Sequence, residues 1–142
     1  MEKHILALDL GRGSLGLAVS RSGMFVTLLP EIRFHMDRYE ELLAPLDRVV
    51  KEEDILLFVL GYPTYPSGDP CAMTENVLAF QKKLEALYPN IPVRLVDERY
   101  STKEASELLH ANGKNARRQR ENIDSAASGV ILTRYLESIG QA

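Results

Sequence analysis

The sequence predicts an α/β fold: a mixed five-stranded sheet, three antiparallel strands followed by two parallel ones, flanked by helices. Three observations carry this. Two apolar runs, Ile5 to Leu10 and Leu15 to Ser20, are separated only by the turn GRGS, which is too short for anything but an antiparallel return. Two later apolar runs, Ile55 to Gly61 and Val93 to Val96, each follow a helical stretch long enough for a parallel crossover. Between them, apolar residues recur at helical spacing.

Taken in order, Ile5 to Leu10 and Leu15 to Ser20 form a hairpin, and Met24 to Leu29 reads as a third strand that continues past Pro30. Asp37, with Glu40 three residues on, starts a helix over RYEELLAPLDRVVKEE that Pro45 kinks or divides. ILLFVLG is apolar throughout, as a strand covered on both faces should be. The loop YPTYPSGDP follows it. Val77, Phe80, Leu84 and Leu87 mark a helix from Met73 to Tyr88 that Pro89 stops. Val93 to Val96 then runs into Asp97, Glu98 and Arg99. Ser101 and Glu104 make a capping box for a helix ending near Gly113, and Ile123 to Ile139 is a last helix closed by Gly140.

The chain of 142 residues, with no repeat or linker, is expected to be one domain over 1–142. Its 45% apolar and 26% charged residues suit a water-soluble globular protein. No apolar run approaches the ~20 residues that span a bilayer. The opening Met1-Glu2-Lys3-His4 leads into a strand rather than a signal-peptide core, so a cytoplasmic protein without membrane contact is expected. Cys71, the single cysteine, can form no internal disulfide, and no Cys/His spacing resembles a zinc site. A formal net charge of −3 excludes bulk coating of nucleic acid but not a local basic patch. Lys114, Arg117, Arg118 and Arg120 form such a patch with no acid among them.

Candidate chemistry lies in the acids at element ends. Asp9 ends the first strand, Glu98 lies just past the end of a later one, and Asp124 falls in the first turn of the last helix as read from the sequence. Converging carboxylates repel by up to ~4 kcal/mol per close pair at an effective dielectric of 20, so a hard divalent cation, Mg²⁺ or Mn²⁺, is expected among them. Two such ions ~3.5 to 4 Å apart serve phosphodiester cleavage without a nucleophilic side chain. Taken singly, Asp9 also suits a polar turn, Glu98 a surface pair with Arg99 or Lys103, and Asp124 the helix dipole. Asp97 is a second metal-ligand candidate that spacing does not separate from Glu98.

Around these acids, Gly11, Gly13 and Gly16 allow close backbone approach of a phosphate beside Arg12 and Ser14. Tyr62 and Tyr65 suit stacking on bases, and Ser67 a phosphate contact. Arg99 and the segment carrying Lys114, Arg117, Arg118 and Arg120 complete the expected substrate contacts. His110 reads as an exposed helical residue.

Together the stretches ALDLGRGSLGLAVS, VLGYPTYPSG, VDERYSTKEA and IDSAASGVILTRYLE, in that order and nearly end to end, resemble the YqgF family. That family is also called RuvX, and is linked to Holliday junction resolution and to maturation of pre-16S ribosomal RNA. The resemblance implies a ribonuclease H-like fold, divalent-metal nuclease activity, and catalytic roles for Asp9, Glu98 (with Asp97 beside it) and Asp124. The chain departs from the family pattern at Gly13, where a Lys or Arg is usual and Arg12 is displaced by one position. It departs again at Thr64, Tyr65 and Pro66, where Asn-Met-Asp is typical.

The expected function is therefore a nuclease acting on structured RNA, concretely pre-16S ribosomal RNA within precursor particles, as a monomer or weak homodimer. Resolution of four-way DNA junctions is the nearest alternative and favours a two-fold dimer. DLGRGSLG also resembles the phosphate loop of actin and sugar-kinase relatives, but those proteins use two such domains. A catalytically silent RNA-binding assembly factor is the remaining alternative.

Overall fold

The computed structural model describes residues 2–63, 71–97 and 116–140, and for 116–125 the backbone alone. Strands β1 (Ile5–Leu10) and β2 (Ser14–Ser20) form the expected antiparallel hairpin, with Leu10 opposite Leu15 and Ile5 opposite Ser20. β3 (Thr27–Arg33) adds to β2 antiparallel, while β4 (Leu57–Tyr62) and β5 (Val93–Asp97) are parallel to β1 and to each other. The sheet order is β3-β2-β1-β4-β5. Helix α1 (Leu43–Glu52) follows a 3₁₀ turn at Tyr39–Leu42, α2 (Thr74–Leu87) links β4 to β5, and α3 spans Ala116–Ser138.

Strand alternation sorts the core into two layers. Leu6, Leu8, Leu10, Leu15, Leu17, Phe58 and Leu60 meet Leu42, Leu46 and Val50 before and on α1, and Val77, Phe80 and Leu84 on α2. Ile5, Ala7, Ala18, Leu57 and Val59 face the other way, onto Ile131, Leu132, Tyr135 and Leu136 of α3. β4 is buried on both faces, as its unbroken apolar run requires. α3 approaches the sheet closely beside Gly129, where a Cβ would lie 2.8 Å from Leu28 Cδ2. Among the described residues no helix is long and apolar enough to cross a membrane.

Three expectations shift. The third strand begins at Thr27 rather than Met24, because Ser22 Oγ accepts the amides of Met24 and Phe25 and holds them in a turn. Pro30 lies inside it, at a bulge: Leu15 pairs with Ile32 and Leu17 with Leu29, so β3 carries one extra residue opposite Gly16. Asp37 does not start a helix; it takes a left-handed backbone (φ 63°) with its amide bonded to the Arg12 carbonyl at 2.8 Å. Pro45 then falls in the first turn of α1, where a missing N–H costs nothing, and the chain divides at Leu43 between the 3₁₀ turn and the α-helix. Finally, the last helix begins at Ala116, not Ile123, since Ala, Arg, Gln and Glu over 116–121 are strong helix formers. The expected helix from Ser101 to Gly113, with His110, lies outside the described residues.

A surface clamp closes the edge of the sheet remote from the β1–β2 turn. Arg21 Nε and Nη2 donate to Glu53 Oε2 and Oε1 at 2.7 and 2.8 Å, and His4 Nδ1 lies 3.0 Å from the Glu53 carbonyl. The hydrogen bond from Arg21 holds the Glu53 carboxyl below its ordinary range. A depressed carboxyl stabilises the fold above its unfolded value, about 4.3, and that contribution is lost as pH falls through the lower folded value. Glu53→Gln is therefore expected to flatten part of the acid limb of Tm against pH below roughly pH 4.5, leaving neutral pH without a slope change. Asp37, Glu41 and Asp47, also held low by partners, keep other parts of that limb.

Candidate active site

Asp9 is the one residue of β1 that is only half-buried, and it breaks an otherwise sealed apolar strand near its carboxyl end. By alternation it stands on the α3 face with Ile5 and Ala7. Its Cα partner on β2 is Gly16, and one residue past the Leu8–Leu60 pair β4 carries Gly61. Glycine therefore stands beside Asp9 on both neighbouring strands.

α3 covers the same face, with Ile131, Leu132, Tyr135 and Leu136 packed on Ile5 and Ala7. The Tyr135 hydroxyl donates to Glu2 Oε2 at 2.5 Å, so the carboxyl half of α3 sits over the start of β1. Position 124 is eight residues past the start of α3 at Ala116. Asp124 is thus two turns inside α3 rather than in its first turn, beyond reach of the helix-terminus dipole. Arg117, Arg118 and Arg120 belong to the same helix, not to a loop before it.

Asp97 pairs in register with Tyr62, and Val93, four residues earlier on β5, packs with the α1 and α2 layer. Alternation therefore assigns Asp97 to the face opposite Asp9, whereas Val96 packs with the α3 layer. The Asp97 carbonyl accepts from Arg134 Nη1 at 2.8 Å, tying α3 to the end of β5. Glu98, Arg99, Tyr65, Ser67 and Lys114 lie outside the described residues. Among the described residues no group of three or more His, Cys, Asp or Glu is arranged to hold a metal ion.

The β1–β2 turn is tightly made. The Gly11 amide donates to the Ser14 carbonyl at 2.8 Å, and the Phe34 amide to the Gly13 carbonyl at 3.0 Å. A Cβ on Gly11 would press to 3.4 Å from both Ser14 O and Ser14 Oγ. Ser14 opens β2 on the α3 face, in alternation with Gly16 and Ala18, beside Asp9. Arg12 points elsewhere. Its Nε and Nη2 donate to Asp37 Oδ1 and Oδ2 at 3.0 and 2.7 Å, a bidentate pair about half exposed on each side. That hydrogen bond holds the Asp37 carboxyl low and raises the Arg12 guanidinium.

Sequence reasoning missed this partner, because Asp37 lies 25 residues from Arg12 and its local pattern resembles a helix start. It also missed Tyr39 and Asn76, whose amide nitrogen donates to the Tyr39 hydroxyl at 3.3 Å. No spacing signal marks either residue.

A family model described as RuvX, Holliday junction resolvase, matches residues 3–138 of this chain. The "Putative pre-16S rRNA nuclease" of Aster yellows witches'-broom phytoplasma is 34% identical over 134 residues, covering 94% of this chain and 89% of its own. The protein of the same name from Cutibacterium acnes is 36% identical over 135 residues, covering 94% and 82% respectively. Among solved structures, T. thermophilus RuvC in complex with Holliday junction substrate superposes with a TM-score of 0.62 at 16% identity, covering 99% of this chain and 98% of that one. The fold is shared with RuvC, a mixed five-stranded sheet with helices on both faces.

Proposed function

The chain belongs to the RuvX family, and from that premise we infer that it is a divalent-metal-dependent nuclease acting on structured RNA, concretely on pre-16S ribosomal RNA. Asp9, Glu98 and Asp124 are the residues that would hold Mg²⁺ or Mn²⁺. The observation that carries this reading is the placement of Asp9: half-buried at a strand end, between Gly16 and Gly61, on the sheet face that α3 covers. An all-oxygen donor set of this kind suits a hard cation. When bound, the cation supplies a Lewis acid for a phosphoryl oxygen and makes an attacking water more acidic. Asp97, on the opposite face, is set aside in favour of Glu98.

The other residues hold substrate. Positions 117, 120 and 124 stand at the three- and four-residue spacing of one helix face, which supports Arg117 and Arg120 as phosphate contacts adjoining Asp124. Arg118, Lys114, Arg99, Tyr65 and Ser67 extend the same role, and Ser14 offers a hydroxyl on the Asp9 face. The reading carries with it action in the cytoplasm on ribosomal precursor particles. Cleavage of four-way DNA junctions is the second reading, favoured by the description of the family model.

The test is direct. Purified protein is incubated with an end-labelled RNA spanning the precursor–mature boundary of 16S ribosomal RNA, with Mn²⁺ or Mg²⁺ and separately with EDTA. Cleavage that needs the cation is expected. A protein that cuts neither RNA nor DNA under any of these conditions sinks the reading, and junction DNA cut in preference to RNA moves it to the second.

A further inference from the structure

Outside the Asp9 face, the β1–β2 turn closes one side of a polar cleft of about 310 Å³, lined by Arg12, Asp37, Tyr39, Ala72, Met73 and Asn76. An apolar groove of about 270 Å³ adjoins it, sharing Tyr39 and Asn76 and lined also by Leu43, Ala79, Phe80, Glu40 and Lys83. A charged cleft beside an apolar groove suits the two ends of a nucleotide, a phosphate and a base. The volumes, at the small end of ligand clefts, fit one unit of a strand rather than a duplex.

The charged end is already filled from within. Asp37 presents two oxygens to the Arg12 fork at 3.0 and 2.7 Å, the geometry in which a guanidinium grips a carboxylate or a phosphate alike. The backbone of Asp37 fixes the carboxylate there, since its amide bonds the Arg12 carbonyl at 2.8 Å and its φ is left-handed. The pair is about half exposed on each side, so a phosphate from solvent can reach the Arg12 fork and compete for it.

We propose that this cleft is a nucleotide subsite for single-stranded RNA and that the Asp37 carboxylate occupies the phosphate position until RNA displaces it from Arg12. The strand's phosphate takes the Arg12 fork, and its base enters the groove past Tyr39 and Asn76. The inference rests on the RNA nuclease reading for its ligand, but its test needs no cleavage.

Binding of a 5′-phosphorylated eight-nucleotide RNA is measured in EDTA for the wild type, Asp37→Asn, Arg12→Gln and the double variant. Asparagine tolerates the left-handed backbone, so Asp37→Asn keeps the turn. Asp37→Asn is expected to bind RNA about three- to tenfold tighter, and Arg12→Gln to bind about tenfold weaker with a salt slope smaller by about 0.7. In the Arg12→Gln background, the gain from Asp37→Asn disappears. A gain of equal size in both backgrounds is a generic charge effect and overturns the proposal, as does unchanged or weaker binding by Asp37→Asn. Inorganic phosphate alone is the comparison: a gain seen for phosphate and not for RNA marks an isolated anion site and overturns the nucleotide assignment. Cation-dependent RNA cleavage by a wild type whose affinity Asp37→Asn leaves unchanged defeats this inference alone. Absence of cleavage with the expected binding pattern defeats the nuclease reading alone.

Discussion

Asp9→Asn is expected to lower the rate of cation-dependent RNA cleavage by about a thousandfold while leaving the fold intact. A metal ion contributes several kcal/mol of transition-state charge stabilisation, and at ~1.4 kcal/mol per tenfold in rate the loss of about 4 kcal/mol gives that factor. Asparagine keeps the volume and one oxygen, so the packing of Asp9 between the backbones of Gly16 and Gly61 is preserved. On the proposed three-carboxylate site, removing one negative charge should leave Tm unchanged or slightly raised. Single-turnover cleavage with saturating Mn²⁺, with Tm measured on the same sample, separates the two effects. A variant that folds normally and cuts at the wild-type rate would remove Asp9 from the centre of the reaction.

Phe58→Ala is expected to cause the largest loss of stability of any single truncation among the described residues, about 3 to 5 kcal/mol. Phe58 is fully buried on β4, pairs with Leu6 on one side and Val93 on the other, and packs its ring 5.5 Å from that of Tyr88. It thus joins β1, β4, β5 and the helical layer at one point. Truncation removes apolar area from all four and leaves a cavity that the strands, fixed by their hydrogen bonds, cannot close. Against a total of roughly 5 to 15 kcal/mol for a domain, the loss should appear as a large drop in the urea midpoint without a change in slope. Phe58 lies on the face away from Asp9, so cleavage by the surviving folded fraction should keep its rate. A midpoint within experimental error of the wild type would mean that the β4 core is not where the stability resides.

Much of the framework was legible because the apolar runs are unbroken. β1 and β2 announce a hairpin by their short turn, and β4 announces burial on both faces by having no polar residue to turn outward. β5 and α2 were bounded by Pro89 and by the switch from helical to strand spacing. What the sequence hid were effects of pairing and of distance. The choice between Asp97 and Glu98 needs the register of β5 on β4, since only the partner strand says which face a residue takes. The early start of α3 was masked because its first turns are charged, although arginine is a good helix former. Arg12 looked like a free cation because its partner Asp37 is fixed by tertiary contacts and by a backbone conformation that local pattern does not reveal.

The bulge at Pro30 has a consequence for how copies of this chain meet. β3 is the terminal strand on its side of the sheet, and a straight terminal strand is a template on which another chain can hydrogen-bond. Here the row of donors and acceptors is interrupted by an imino acid and an out-of-step residue, and Arg33 pairs with Glu31 at 2.6 Å along it. Concentrated protein is therefore protected from stacking edge to edge through β3. A pair of copies is thus expected to meet on a surface other than the β3 edge.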